Sequence, residues 1–301
     1  MELVEYYYPF EKHTKEPLLI IPIGDIQWTG DPDDVAGQTL KETIAYGLDN
    51  SAVFIGMGDY TDYASPSNRQ MLRAAALYDN ALKVHDNAAL ALTDDLYNQF
   101  LKPTKGRWLG LLEGHHFANL QSGFTTDQML AQMLDTKFLG TNAIVGIHWR
   151  EKSRDRVTLN IWCHHGTGSS GKPGGVINKL DNLLPDWECD IFLMGHMTKQ
   201  AVAPTNRLYP YWPINKGKSP PSLRHKTKIL CGTGGYGKAY IERSRQGLTP
   251  RGTYVEKGMM RPASLGSPRI RVRPYRVDYY VDDDKTRSHH LALEIRADVG
   301  G

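Results

Sequence analysis

Cysteine is scarce in this chain: three residues, Cys163, Cys189 and Cys231, among 301. An odd number at scattered spacing, without a CxxC pair, excludes a disulfide framework and a cysteine zinc site. It reads as reduced, buried thiols in a cytoplasmic protein. No apolar run approaches the ~20 residues of a membrane-spanning helix. The opening Met1, Glu2, Leu3, Val4 and Glu5 lack the basic-then-apolar layout of a signal peptide, so no membrane is expected among the partners. Repeats and low-complexity tracts are absent too. Net charge is only +3, which does not announce a nucleic-acid binder.

What is present is ordinary soluble composition, 40% hydrophobic and 23% charged. It is enough for one large core, and one domain over 1–301 is expected. The basic residues are unevenly spread. Positions 207–276 carry Arg207, Lys216, Lys218, Arg224, Lys226, Lys228, Lys238, Arg243, Arg245, Arg251, Lys257, Arg261, Arg269, Arg271, Arg273 and Arg276 with few acids between them. A polyanion can use such a face. A solvated surface accounts for it without a partner.

Apolar runs at 18–23, 52–57, 108–112, 157–163 and 191–194 predict strands, with further short ones at 228–231 and 270–272. Asp31, Pro32 and Asp33 give a cap, a first-turn proline and an acid for a helix to about Leu48. Helices are also predicted from Ser65 to Leu101 with Pro103 as the stop, from a Thr126-Asp127 cap to Phe138, and over 175–184. Alternating strands and helices argue an α/β core, and a strand-rich end beyond 205 argues a mixed second sheet.

Five short clusters carry the chemistry, each beside a glycine and most at a strand end. They are Gly24-Asp25-Ile26-Gln27, Gly58-Asp59-Tyr60-Thr61-Asp62, Gly114-His115-His116, Cys163-His164-His165-Gly166 and Gly195-His196-Met197-Thr198. A lone Asp after a strand is an ordinary cap or loop residue. Five such clusters gathered on one sheet edge would crowd carboxylates and imidazoles without partners, which is costly when buried. Asp and His are also the usual ligands of divalent first-row metals. A dinuclear metal centre resolves the crowding.

In order and spelling these motifs resemble the signature of the calcineurin-like metallophosphoesterases over 24–198, about two thirds of the chain, with Gly58-Asp59-Tyr60-Thr61-Asp62 the nearest match. The resemblance implies an α/β (α+β) fold: a β-sandwich of mixed sheets flanked by helices, with the metals at the strand ends. The motifs would lie within 18–200, and the basic part, 205–298, would complete the sandwich. Carried over by position, Asp25 ligates one ion (site A), Asp59 bridges both, and His115, His164 and His196 complete the other (site B). His165 then faces the substrate. His116 is the catalytic histidine, oriented by Asp62. Gln27 and Thr198 stand where the family has histidines on site A. They leave that site with oxygen donors only, favouring Mn²⁺ or Mg²⁺, while site B would accept Mn²⁺, Fe²⁺ or Zn²⁺.

The implied activity is hydrolysis of a phosphoester, a phosphodiester before a monoester, by a hydroxide activated between two divalent ions, Mn²⁺ favoured. The basic second half motivates a nucleotide or nucleic-acid substrate. The rival reading is a degenerate member that binds DNA or protein as a scaffold, supported by Gln27 and Thr198 and opposed by the retained Asp59, Asp62 and His116. Two nucleotide-like motifs carry less. Gly166 to Lys172 fits a P-loop until Pro173, where a hydroxyl is needed; it reads instead as a loop over the metal edge, with Lys172 reaching a substrate phosphate. Gly232 to Gly237 spells GxGxxG but precedes no helix and reads as turn glycines. His85 reads as a surface or packing residue, and His289 and His290 as an exposed tail pair.

Overall fold

The computed structural model describes residues 1–63, 78–151, 155–212, 222–242, 256, 258–259, 261–281 and 286–300. Its strands are β1 (Glu2–Pro9), β2 (Leu18–Ile23), β3 (Val53–Gly56), β4 (Trp108–Leu111), β5 (Asn142–Glu151), β6 (Asp155–His164), β7 (Ile191–Met194), β8 (Gln200–Tyr211), β9 (Ser222–Thr233), β10 (Arg269–Val281) and β11 (Thr286–Asp298). Its helices are α1 (Phe10–Lys15), α2 (Gly37–Asp49), α3 (Asp79–Leu96), α4 (Thr126–Met133) and α5 (Pro173–Asp181).

Two mixed sheets face one another. One runs β1-β5-β6-β7-β9-β8 and the other β11-β10-β2-β3-β4. Between them lie Ile20, Ile55, Leu109 and Val272 from one sheet against Val145, Ile161, Leu193 and Ile229 from the other. On the outer side of the second sheet, Ile21, Phe54 and Leu111 meet Leu40 and Ile44 of α2 and Leu96 of α3. On the outer side of the first, Trp162, Phe192 and Leu230 meet Val176 and Leu180 of α5. Strands covered on both faces need no alternation, which is why β2, β3 and β7 read as continuous apolar runs. The expected α/β sandwich of mixed sheets flanked by helices is the observed architecture.

Strands β2, β3 and β4 are mutually parallel, as are β6, β7 and β9. Parallel strands share a direction, so the segments after β2, β3, β4, β6 and β7 emerge at one edge of the sandwich.

Several expected boundaries moved. The helix expected from Asp31 begins at Gly37. Asp31 caps a turn instead, its Oδ1 accepting from the Asp33 amide (2.9 Å), and Val35 is pinned to Gly237 by a bridge. Of the helix expected over 65–101, residues 64–77 lie outside the described residues. The remainder is α3, which passes through a π turn at Tyr97–Leu101 and a 3₁₀ turn at Lys102–Thr104, with Pro103 at the stop. Helix α4 is capped by Thr125, not Thr126, in a reciprocal pair with Gln128, and it ends at Met133. His289 and His290 belong to β11, not to a free tail.

Helix α1 closes one end of the core and brings in a histidine. His13 is 3% exposed and packs between the rings of Tyr8 and Trp149. The Trp149 indole donates to its Nδ1 (3.3 Å), a bond that requires the neutral ring. Burial, with help from Lys12, pushes its pKa down to about 4. A folded pKa below the unfolded value makes protonation favour unfolding. Stability should therefore fall as pH drops from about 6.5 towards about 4. His13→Gln, which keeps an acceptor without titrating, should lose less over that window in urea melts. Parallel losses would contradict the assignment.

Candidate metal centre

The site is built on unusual backbone. Eight non-glycine residues have positive φ among the described residues, and five of them are Asp25 (48°), Gln27 (52°), Asp59 (55°), His196 (62°) and Thr198 (49°). Left-handed backbone costs ~1–3 kcal/mol per residue and persists only where surroundings over-determine it. Here they do. Asp25 donates its amide to the Gly58 carbonyl and accepts at its own carbonyl from Tyr236 and Gly237, and Gln27 donates to the Asp59 carbonyl. A Cβ on Gly235 would sit 2.8 Å from the Asp25 Cβ. The glycines read as turn formers at 232–237 are thus also needed for close approach to the Asp25 loop.

The side chains converge. Asp25 Oδ2 accepts the His196 amide (2.9 Å), joining the loops after β2 and β7. Asp59 Oδ1 accepts the amides of His115 and His116, joining the loops after β3 and β4. His165 Nε2 lies 3.2 Å from Asp59 Oδ2. The rings of His115, His165 and His196 pack edge to face, with centroids 4.7–5.3 Å apart. Two donor triads result, Asp25-Asp59-His165 and His115-His165-His196, each with its ligand atoms within 4.8 Å of one another.

Asp25 Oδ1, Asp59 Oδ2 and His165 Nε2 are fully buried and lack an aligned hydrogen-bond partner. Asp59 and His165 are close enough to attract but not in line to bond. Burial, with Asp59 adding to it and His165 opposing, raises Asp25 to about 7. Burial would raise Asp59 too, but His165 beside it holds Asp59 well below the usual carboxylate range. Burial would lower His165, yet Asp59 lifts it to about 9. His196 is driven down to about 4 by burial and by its two imidazole neighbours. Buried carboxylate and imidazole atoms aimed at one point without partners are a donor set that fits divalent cations.

One assignment is corrected: His165, not His164, stands in the cluster. The amide of Gly166 donates to His164 Nδ1 (2.7 Å), using that lone pair and leaving the proton of the neutral ring on Nε2. His164 stacks on Trp162 on the outer face. His165 Nδ1 donates to the Met57 carbonyl (2.6 Å), so once Nε2 gives up the proton it holds beside Asp59, its lone pair is open to an ion. The donors around Asp25 are therefore not oxygen alone.

The other expected residues are placed as follows. His116 is 8% exposed, with Nδ1 3.1 Å from Asp62 Oδ2 and Nε2 3.7 Å from Asp59 Oδ2. Gln27 Oε1 faces Gly237, and the Thr198 methyl faces Gly235 beside Asp25. Lys172 is exposed at the N-cap of α5. A residue not singled out from sequence is Asp127, whose buried Oδ2 accepts the Gly114 amide (3.0 Å) and which burial raises to about 7. Its place in a first helical turn hid this second role.

The basic stretch is split between places. Arg207, Arg224, Lys226, Lys228 and Arg273 line a cleft of about 1450 Å³ at the opposite end of the sandwich. There Lys226 and Lys228 pair with Glu188, and Arg273 with Glu294.

No protein-family model matches the chain, and no curated protein matches it. Among solved structures, a conserved uncharacterized protein (predicted phosphoesterase) from Streptococcus pneumoniae TIGR4 aligns with 93% of this chain and 98% of its own. Identity is 11% and the TM-score 0.31. A likeness at that level carries no argument about this chain's chemistry, which has to come from the site itself.

Gly114 is the tightest point of the cradle, since a Cβ there would run into the amide nitrogen and Oδ1 of Asp59. Gly114→Ala should displace Asp59 and lower Mn²⁺ bound per chain, read by elemental analysis, with the circular dichroism spectrum kept. Gly174→Ala, where a Cβ meets nothing within 4 Å, should leave metal content unchanged. Full occupancy in Gly114→Ala would contradict this packing.

Proposed function

We propose that the protein is a metal-dependent phosphoester hydrolase, acting on a phosphodiester of a nucleotide or nucleic acid. The observation that carries this reading is the set of three buried donor atoms without an aligned hydrogen bond, Asp25 Oδ1, Asp59 Oδ2 and His165 Nε2, delivered by three different strands to one point.

Asp25, Asp59 and His165 would hold one ion, and His115 and His196 a second beside it. His165 offers a single lone pair, so it serves one ion only. Asp59 has Oδ1 fixed by two amides, so Oδ2, 3.2 Å from His165 Nε2, is the oxygen it would offer to an ion. When bound, divalent ions at these donors supply positive charge to the phosphoryl oxygens and bring the ionisation of water down towards neutrality. Carboxylates beside imidazoles suit Mn²⁺ and accommodate Mg²⁺, Fe²⁺ or Zn²⁺.

The chain's own groups then orient substrate and move protons. Asp62 Oδ2 lies 3.1 Å from Nδ1 of His116 and faces the proton there, so it is the protonated ring that presents a second proton, on Nε2, to the centre. That proton passes to the departing oxygen as its bond to phosphorus breaks. His164 presents Nε2–H at the edge of the site, a neutral donor for a phosphoryl oxygen. Lys172, exposed at the N-cap of α5, meets an anionic group of the substrate.

Hydrolysis of bis-p-nitrophenyl phosphate should appear with added Mn²⁺ and vanish on chelation. His116→Ala should lower turnover by about 10²–10⁴ with metal content retained, whereas Asp59→Asn should lose metal and activity together. Silence with Mn²⁺, accompanied by DNA binding that survives chelation, would instead support the scaffold reading.

A further inference from the structure

Beside His196, two loops are held in place by cations that have no carboxylate partner among the described residues. The first is 166–172. Its Gly166 amide is on His164, its Thr167 carbonyl accepts from Lys179 Nζ, and its Gly168 carbonyl faces the His196 ring. The second is 261–266. Ser264 donates to the Thr198 carbonyl (2.8 Å), Gln200 holds the Leu265 carbonyl (2.6 Å), and Lys199 Nζ donates to the carbonyls of Arg261 and Pro262.

Lys199 is the informative residue. It is 6% exposed, and among the described residues its ammonium donates to carbonyls, with the Arg261 charge acting on it. Burying a cation without an anion is costly, and here it serves to fix the backbone that carries Arg261. The Arg261 stem runs 3.8–4.0 Å from the Cβ position of Gly171, so Arg261 and the adjacent Lys172 share one rim. Arg261 and Lys172 are both exposed. The basic residues of the distant cleft are largely neutralised by Glu188, Asp190 and Glu294, whereas those of this rim have no such ion pair among the described residues. Uncompensated positive charge next to a centre for phosphoryl groups attracts a further anion.

We propose that Arg261 and Lys172 form a subsite for a second anionic group of the substrate, so that the preferred substrate is a phosphodiester flanked by another phosphate, as in an oligonucleotide. The proposal rests on the hydrolase reading for the identity of the first group, but its test does not require turnover. Binding of 5′-phosphorylated dithymidylate and of unphosphorylated dithymidylate to the whole chain is measured by calorimetry in chelator at low salt. The wild-type chain should favour the phosphorylated form by about tenfold. Arg261→Gln should remove most of that preference, and Arg261→Lys should restore part of it. Equal affinity of the wild-type chain for the two probes, or an Arg261→Gln loss shared equally by both, would overturn the subsite. With Mn²⁺ added, no cleavage but a retained preference would remove the hydrolase reading alone. Cleavage without any preference would remove the subsite alone.

Discussion

Asp59 is the constraint on which the rest of this structure depends. It is 1% exposed, in left-handed backbone, and at a point where four loops meet. One of its oxygens is consumed by two amides of the loop after β4, and its backbone carbonyl receives the Gln27 amide of the loop after β2. The other oxygen faces His165 from the loop after β6. A buried carboxylate so placed is tolerable only when its charge is answered. One imidazole answers it in part, and a second buried carboxylate, Asp25, stands in the same cluster. The buried donor set of Asp25, Asp59 and His165 is compatible with a divalent ion that would complete it.

That arrangement links sequence to chemistry through the backbone. Glycines at 58 and 114 let loops approach within a distance that side chains would forbid, and left-handed residues at 25, 59 and 196 turn carboxylate and imidazole inward. The strain is distributed over a hydrogen-bonded set of loops, and those loops hang from parallel strands buried on both faces. Rigid strands and strained ends together give a preorganised centre, in which little reorganisation is left for ion or substrate binding.

Much of this was legible in the chain. The strand at Ile191–Met194 appears where its apolar run placed it, and alternating elements argued an α/β core, while the sandwich was what the family resemblance implied. The convergence of five clusters was legible because each ended a strand. What failed has physical causes. β1 and β5 carry tyrosine, glycine and charge within an alternating pattern that only their pairing makes decisive. The choice of His164 over His165 relied on likeness of position. Strand parity argued otherwise, since Leu159, Ile161 and Cys163 face the core and His165 continues their series. Arg261 was unreadable as part of the site, because nothing local shows that Lys199 would clamp its carbonyl.

The most direct test of the account is anomalous diffraction at the manganese edge from crystals grown with Mn²⁺. The account predicts peaks ~2.0–2.2 Å from Asp25 Oδ1, Asp59 Oδ2 and His165 Nε2, with His115 and His196 turned to the same density and His164 left on Trp162. Manganese bound elsewhere, or His164 ligating while His165 keeps no ion, would contradict it.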